Sequence, residues 1–134
     1  MTREIDIKIA EKLGWVWKKG VDHLHLLRPN EEVGQLLNNY GEICEHDTEK
    51  IIYPHLPCWS TDMGDAMKLL VVVKSMKFSQ RLGFFAYLRL VINMRCRQTL
   101  QWPDAMVFMK PNDLCLAFLT ASNAEGDIAD ALKS

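Results

Sequence analysis

No charge of one sign dominates this sequence. Sixteen lysines and arginines stand against 17 aspartates and glutamates, a formal net charge of −1. That excludes a chain-wide basic field for bulk nucleic acid, so any anion site must be local. Long apolar runs are equally scarce. The run from Leu69 to Val73 is far too short to span a bilayer, and the one from Phe84 to Ile92 is broken by Arg89. Arg3, Glu4, Asp6 and Lys8 leave no room for the apolar core of a secretory signal. The expectation is a soluble cytoplasmic protein with no membrane partner. Cysteine is sparse and unpatterned: Cys44, Cys58, Cys96 and Cys115 lack framework spacing and read as reduced thiols, partly core. There is no Cys-x-x-Cys or His-Glu-x-x-His motif, no P-loop, no dinucleotide glycine motif and no nucleophile elbow. Internal repeats and low-complexity tracts are also missing.

What is present is 134 residues, 49% hydrophobic and 25% charged, enough for one domain over 1–134 with a real core. Thr2 can cap a first helix, on which Ile5, Ile9 and Leu13 share a face before Gly14 ends it. The period then changes. Trp15 to Lys18 and His23 to Leu26 alternate about a Lys18-Lys19-Gly20 turn, which predicts a hairpin ended by Arg28, Pro29 and Asn30. Residues 30–57 predict a long, partly mobile loop with an acidic cluster at Glu42, Glu45, Asp47 and Glu49; Ile51, Ile52 and Tyr53 could add a short strand.

Next comes a capped helix, from Thr61 to about Met76. Ser60, Thr61 and Asp62 can accept from its first N–H groups, and Met63, Ala66, Met67 and Leu70 make one apolar face. From Phe84 to Arg97 the even positions are all apolar, which predicts a strand. Ala105 to Lys110 predicts a second strand. Pro111 to Asn123 predicts a helix with Leu114, Ala117, Phe118 and Ala121 on one face, and residues 122–134 predict a tail that frays. The fold class is therefore α+β in the order α-β-β-α-β-β-α, with a mainly antiparallel sheet and helices packed on it.

Three groups of residues could carry chemistry. On the odd face of the Phe84–Arg97 strand, Tyr87, Arg89, Asn93, Arg95 and Arg97 combine guanidinium forks, an amide and a ring. With Arg28 they could grip a small anionic or nucleotide ligand. The alternative is that these arginines are solvated or pair with the acidic loop. Second, His23 and His25, Cys44 and His46, and His55 and Cys58 are possible zinc ligands, but none forms a paired motif, so no metal is assigned. Third, Cys58 before a helix start, with His55 near in sequence, could be a nucleophile pair; a partly buried thiol is the plainer reading. No catalytic residue and no cofactor is assigned. Trp15, Trp17, Trp59 and Trp102 read as core or pocket wall.

The Leu-Pro-x-x-Ser-Thr-Asp run from Leu56 to Asp62, with Ala66 and Leu70, resembles small phage and prophage proteins that share the phage ABA sandwich domain. A charged first helix leading to Gly14 and Trp15, and the Leu-Cys-Leu-Ala-x-Leu run from Leu114 to Leu119, extend the resemblance. It implies an α-β-α sandwich and a phage origin, and it supplies no catalytic residues. The functional expectation is a phage-type accessory protein that acts by binding, in its sharpest form by sequestering a nucleotide signal of host defence. Such a pocket could form between subunits of a homo-oligomer. The alternatives are an interaction module for a host protein or minor assembly protein, and a hydrolase built on Cys58 or a metal.

Overall fold

The structure is a computed structural model that describes residues 3–20, 23–33, 44–45, 50–52 and 55–123. It is α+β and rich in helix. Where length alone suggests one domain, contacts divide the chain into two compact units, Met1–Pro57 and Cys58–Ser134. The division falls inside the Leu56–Asp62 motif.

The first unit holds helix α1 (Glu4–Lys12) and the strands β1 (Val16–Lys19), β2 (Leu24–Leu27), β3 (Cys44–Glu45) and β4 (Lys50–Ile52). Helix α1 ends as the glycine predicts. Gly14 takes φ +99, its N–H reaches the Glu11 carbonyl at 3.2 Å, and the Trp15 N–H reaches the Ala10 carbonyl at 2.9 Å. These two bonds close a Schellman motif, which the missing Cβ of glycine permits. The expected cap Thr2 lies outside the described residues. Arg3 precedes the helix and works differently. It donates to the buried carboxylate of Asp6 at 3.0 Å and to the carbonyls of Leu56 and Pro57 at 2.7 and 2.6 Å, tying the helix start to the end of the unit.

The predicted hairpin is present, with Val16 opposite Leu27 and Lys19 opposite Leu24. The sheet order is β1-β2-β4-β3, antiparallel except for the β2–β4 pair. Strand β4 holds Ile51 and Ile52 of the short strand expected there, while β3 lies within the stretch expected to be loop; the rest of residues 34–49 lies outside the described residues. Beyond β2, Glu31 accepts from the Arg28 N–H at 2.9 Å and meets His55 Nε2 at 3.2 Å. The His55 ring lies 5.5 Å from that of Trp15, over which Arg28 stacks at 5.0 Å.

His25 is buried on β2, and that burial, with the charge of nearby His23, holds its imidazole below its ordinary value. The unfolded chain then takes up this proton first. Stability should be flat above about pH 6.5 and fall as the pH drops from there toward the folded value, at up to about 1.4 kcal/mol per pH unit. Thermal melts from pH 8 to 5 check this. The drop should be shallower in His25→Leu than in the parent, and parallel curves would exclude His25 as its source.

Every regular element among the described residues of the second unit is a helix: α2 (Met63–Met67), α3 (Leu69–Lys74), α4 (Phe78–Cys96), α5 (Asp104–Val107) and α6 (Pro111–Asn123). Asp62 caps α2 as expected, accepting from the N–H groups of Gly64 and Asp65 at 3.4 and 3.3 Å. The single helix expected from Thr61 to Met76 is instead two. Lys68 and Val71 make i to i−3 bonds to the Asp65 and Lys68 carbonyls, a tighter turn that separates α2 from α3.

The larger correction concerns Phe84–Arg97, predicted as a strand. It lies in α4, a 19-residue helix. Its buried positions are Gln80, Phe84, Leu88 and Ile92, every fourth residue. A set spaced by four is also spaced by two, so the helical face sat within the even positions; the other even residues, Ala86, Leu90 and Met94, are exposed. Ala105–Lys110 is corrected likewise: α5 buries Ala105 and leaves Met106 and Val107 exposed, with Phe108 beyond its end also exposed. The order α-β-β-α-β-β-α therefore does not hold, and among the described residues every strand lies in the first unit. Helix α6 appears as predicted. Its buried Leu114, Ala117, Phe118 and Ala121 share a core with Leu69, Val73, Phe84, Leu88 and Ile92, and α4 packs chiefly on α6.

Candidate functional site

The candidate site is a cavity of about 360 Å³ in the Cys58–Ser134 unit. Met67 of α2, Leu70 of α3, Phe85 and Leu88 of α4, and Leu114 of α6 form one part of its lining. Trp102, Pro103, Met106 and Met109, on and around α5, form the rest. Not one of these side chains is charged, and three are methionines, whose flexible thioethers adapt to irregular apolar shapes.

The segment carrying Trp102 to Met109 is short on regular structure, and polar side chains of α4 fix it. Asn93 Nδ2 donates to the Leu100 carbonyl at 3.1 Å, while Asn93 Oδ1 accepts from the Leu100 N–H at 2.9 Å. Arg89 donates to Gln101 Oε1. Arg95 donates to both carboxylate oxygens of Asp113, at 3.1 and 2.7 Å, and to the Phe108 carbonyl. Asp113 is buried at the start of α6 and also accepts from the Lys110 N–H at 2.8 Å, the return half of a capping box. The charge-assisted bond to Asp113 raises the Arg95 guanidinium further above its ordinary value.

The residues nominated as an anion grip are thus not one face. Successive odd positions lie on alternate sides of a helix. Arg89, Asn93 and Arg95 hold the pocket wall from behind, with Arg95 paired to Asp113; the acidic loop lies outside the described residues. Tyr87 is half-buried on α4, and Arg97 ends the helix in the left-handed region at φ 55. Arg28 lies in the other unit, over Trp15. Among the described residues no group of three or more histidines, cysteines, aspartates or glutamates could hold an ion; His46 lies outside them. The Cys58 N–H donates to Asp65 at 2.9 Å and the residue is exposed, whereas His55 is bound to Glu31 in the first unit. Among the described residues, no helix is long and apolar enough to cross a membrane.

Of the tryptophans, Trp15 and Trp59 are buried and Trp102 is pocket wall, as their type suggests, whereas Trp17 is half-buried on β1 with Lys50 over its ring at 5.3 Å. The rest of the lining went unread. Its signal was Met106-x-x-Met109 after Trp102-Pro103, apolar residues at a helical spacing in a stretch that alternation presents as a strand. No family model, curated protein or solved structure matches this chain.

Proposed function

We propose that this chain is a binding protein and that the apolar pocket of its second unit is where it binds. The observation that carries the reading is a cavity within the roughly 300–1,000 Å³ typical of ligand sites, walled by nine apolar side chains. A cavity of this kind seats an apolar group, either a small molecule or the anchor side chain of a protein partner. The motif resemblance supports a phage-type accessory role in a bacterial cytoplasm, and the α-β-α sandwich belongs to that same proposal. Within it, a host-protein partner fits the lining better than a nucleotide signal does. Arg89, Asn93 and Arg95, which a nucleotide would need, are engaged in holding the Leu100–Phe108 wall.

Titration with the neutral apolar dye Nile red tests the pocket. The full chain should enhance its fluorescence in a saturable way. Leu70→Trp, which adds bulk inside the cavity, should weaken uptake at least about tenfold, a loss of about 1.4 kcal/mol, while the helical circular dichroism stays unchanged. Equal uptake by parent and variant would remove the pocket from the proposal.

A further inference from the structure

The apolar character of the second unit does not stop at the pocket. Ten of the eleven large apolar residues exposed among the described residues lie in it. On α4, Phe78, Leu82 and Phe85 follow at i, i+4 and i+7, with 67%, 56% and 45% of their surfaces exposed. That spacing places them in one stripe about 10 Å long, and Phe85 carries the stripe into the cavity wall. Soluble proteins seldom leave such a track open without a use for it.

The charge along the described part of this unit is lopsided. Residues 58–123 contain eight lysines and arginines, four aspartates and no glutamate. Three of those aspartates serve the fold: Asp62 caps α2, Asp65 accepts from Cys58 and pairs with Lys68, and Asp113 is taken by Arg95. The cations border the apolar surface. Lys68 follows Met67, Lys110 follows Met109, and Arg81 stacks over Phe78 at 5.8 Å.

Resting on the pocket reading above, we infer that the pocket and the Phe78–Phe85 stripe together receive an acidic amphipathic helix of a protein partner. One large apolar side chain of that helix fills the cavity, its neighbours cover the stripe, and its carboxylates face the bordering cations. Helix-in-groove recognition uses anchors at this spacing, and complementary charge sets partner choice and orientation. A lipid surface is the competing source of negative charge, but a concave cavity with buried Leu88 and Leu114 in its wall suits a protruding side chain, not a flat bilayer.

Two synthetic helical peptides of about 16 residues test this on the full chain. Both carry leucines at i, i+4, i+7 and i+11; one has glutamates on its other face and the other has lysines. The glutamate peptide should bind about tenfold tighter or better, an advantage that shrinks with added salt. Phe78→Glu combined with Leu82→Glu, both at exposed positions, should abolish peptide binding and leave Nile red uptake intact. Three results would overturn the inference: equal affinity for the two peptides, binding that survives the double variant, or binding to phosphatidylglycerol vesicles without binding to either peptide. A stable dimer that the double variant dissolves would also overturn it, by making a second copy the occupant. In each of those cases persistent Nile red uptake keeps the pocket reading, whereas loss of uptake in the parent chain removes both.

Discussion

Replacing Phe84 by alanine is expected to destabilise the second unit by about 4 kcal/mol. Phe84 is fully buried on α4, and its ring and that of Phe85 are T-shaped with centroids 5.1 Å apart. Truncation would remove the largest buried side chain of that helix face and leave a hole that the surrounding α-helices fill only in part. The informative comparison is Leu90→Ala. In an alternating strand, Phe84 and Leu90 would share one face and cost comparable amounts. In the helix they lie about 120° apart, and half of the Leu90 surface is exposed, so its truncation should cost less than about 1 kcal/mol. Urea denaturation of the two variants measures the ratio. Similar losses would contradict a helix at 78–96.

The second large effect is expected at Arg95. Its side chain is one-third exposed, but the Asp113 side chain it pairs with is 2% exposed. Arg95→Met would leave that carboxylate buried with the Lys110 N–H as its remaining partner named above. Breaking a buried pair from one side costs roughly 3–5 kcal/mol, and the partial exposure here puts the expectation near 3 kcal/mol. Adding Asp113→Leu should recover part of the loss. A double variant less stable than Arg95→Met would mean that Asp113 matters mainly as a cap for α6. Nile red uptake should weaken in Arg95→Met, because the Phe108 carbonyl loses its anchor.

Where one physical signal stood alone, the sequence was legible. Gly14 after an amphipathic run, the alternation from Trp15 to Leu27 and Pro111 ahead of Leu114 each pointed to one element that is there, and Asp62 marked a helix start that is there although the helix breaks after Met67. Where two signals overlapped, the wrong one won. Phe84, Leu88 and Ile92 fit periods of two and four alike, and the good helix formers between them should have decided the matter. The candidate site suffered from that same choice. Placed on a strand, Arg89, Asn93 and Arg95 look like a grip; placed on a helix, they are props. The pocket itself was hidden because its nine lining residues come from separate stretches between Met67 and Leu114, and an apolar lining looks like core until the chain is folded.

The sheet order also bears on how the first unit comes to exist during synthesis. β4 sits between β2 and β3, although it leaves the ribosome after both. The hairpin of β1 and β2 can form as soon as Leu27 is free, but its inner edge then stays unpaired for more than twenty residues of elongation, until Lys50 and Ile51 take their places beside Leu24 and His25. For that interval the nascent chain presents Leu26 and Leu27 next to open backbone donors and acceptors, a template for pairing with a neighbouring chain. Exposure of an unfinished edge is therefore built into the translation order of this fold, and the basic pair Lys18–Lys19 on the adjoining strand is the charge available to oppose such pairing.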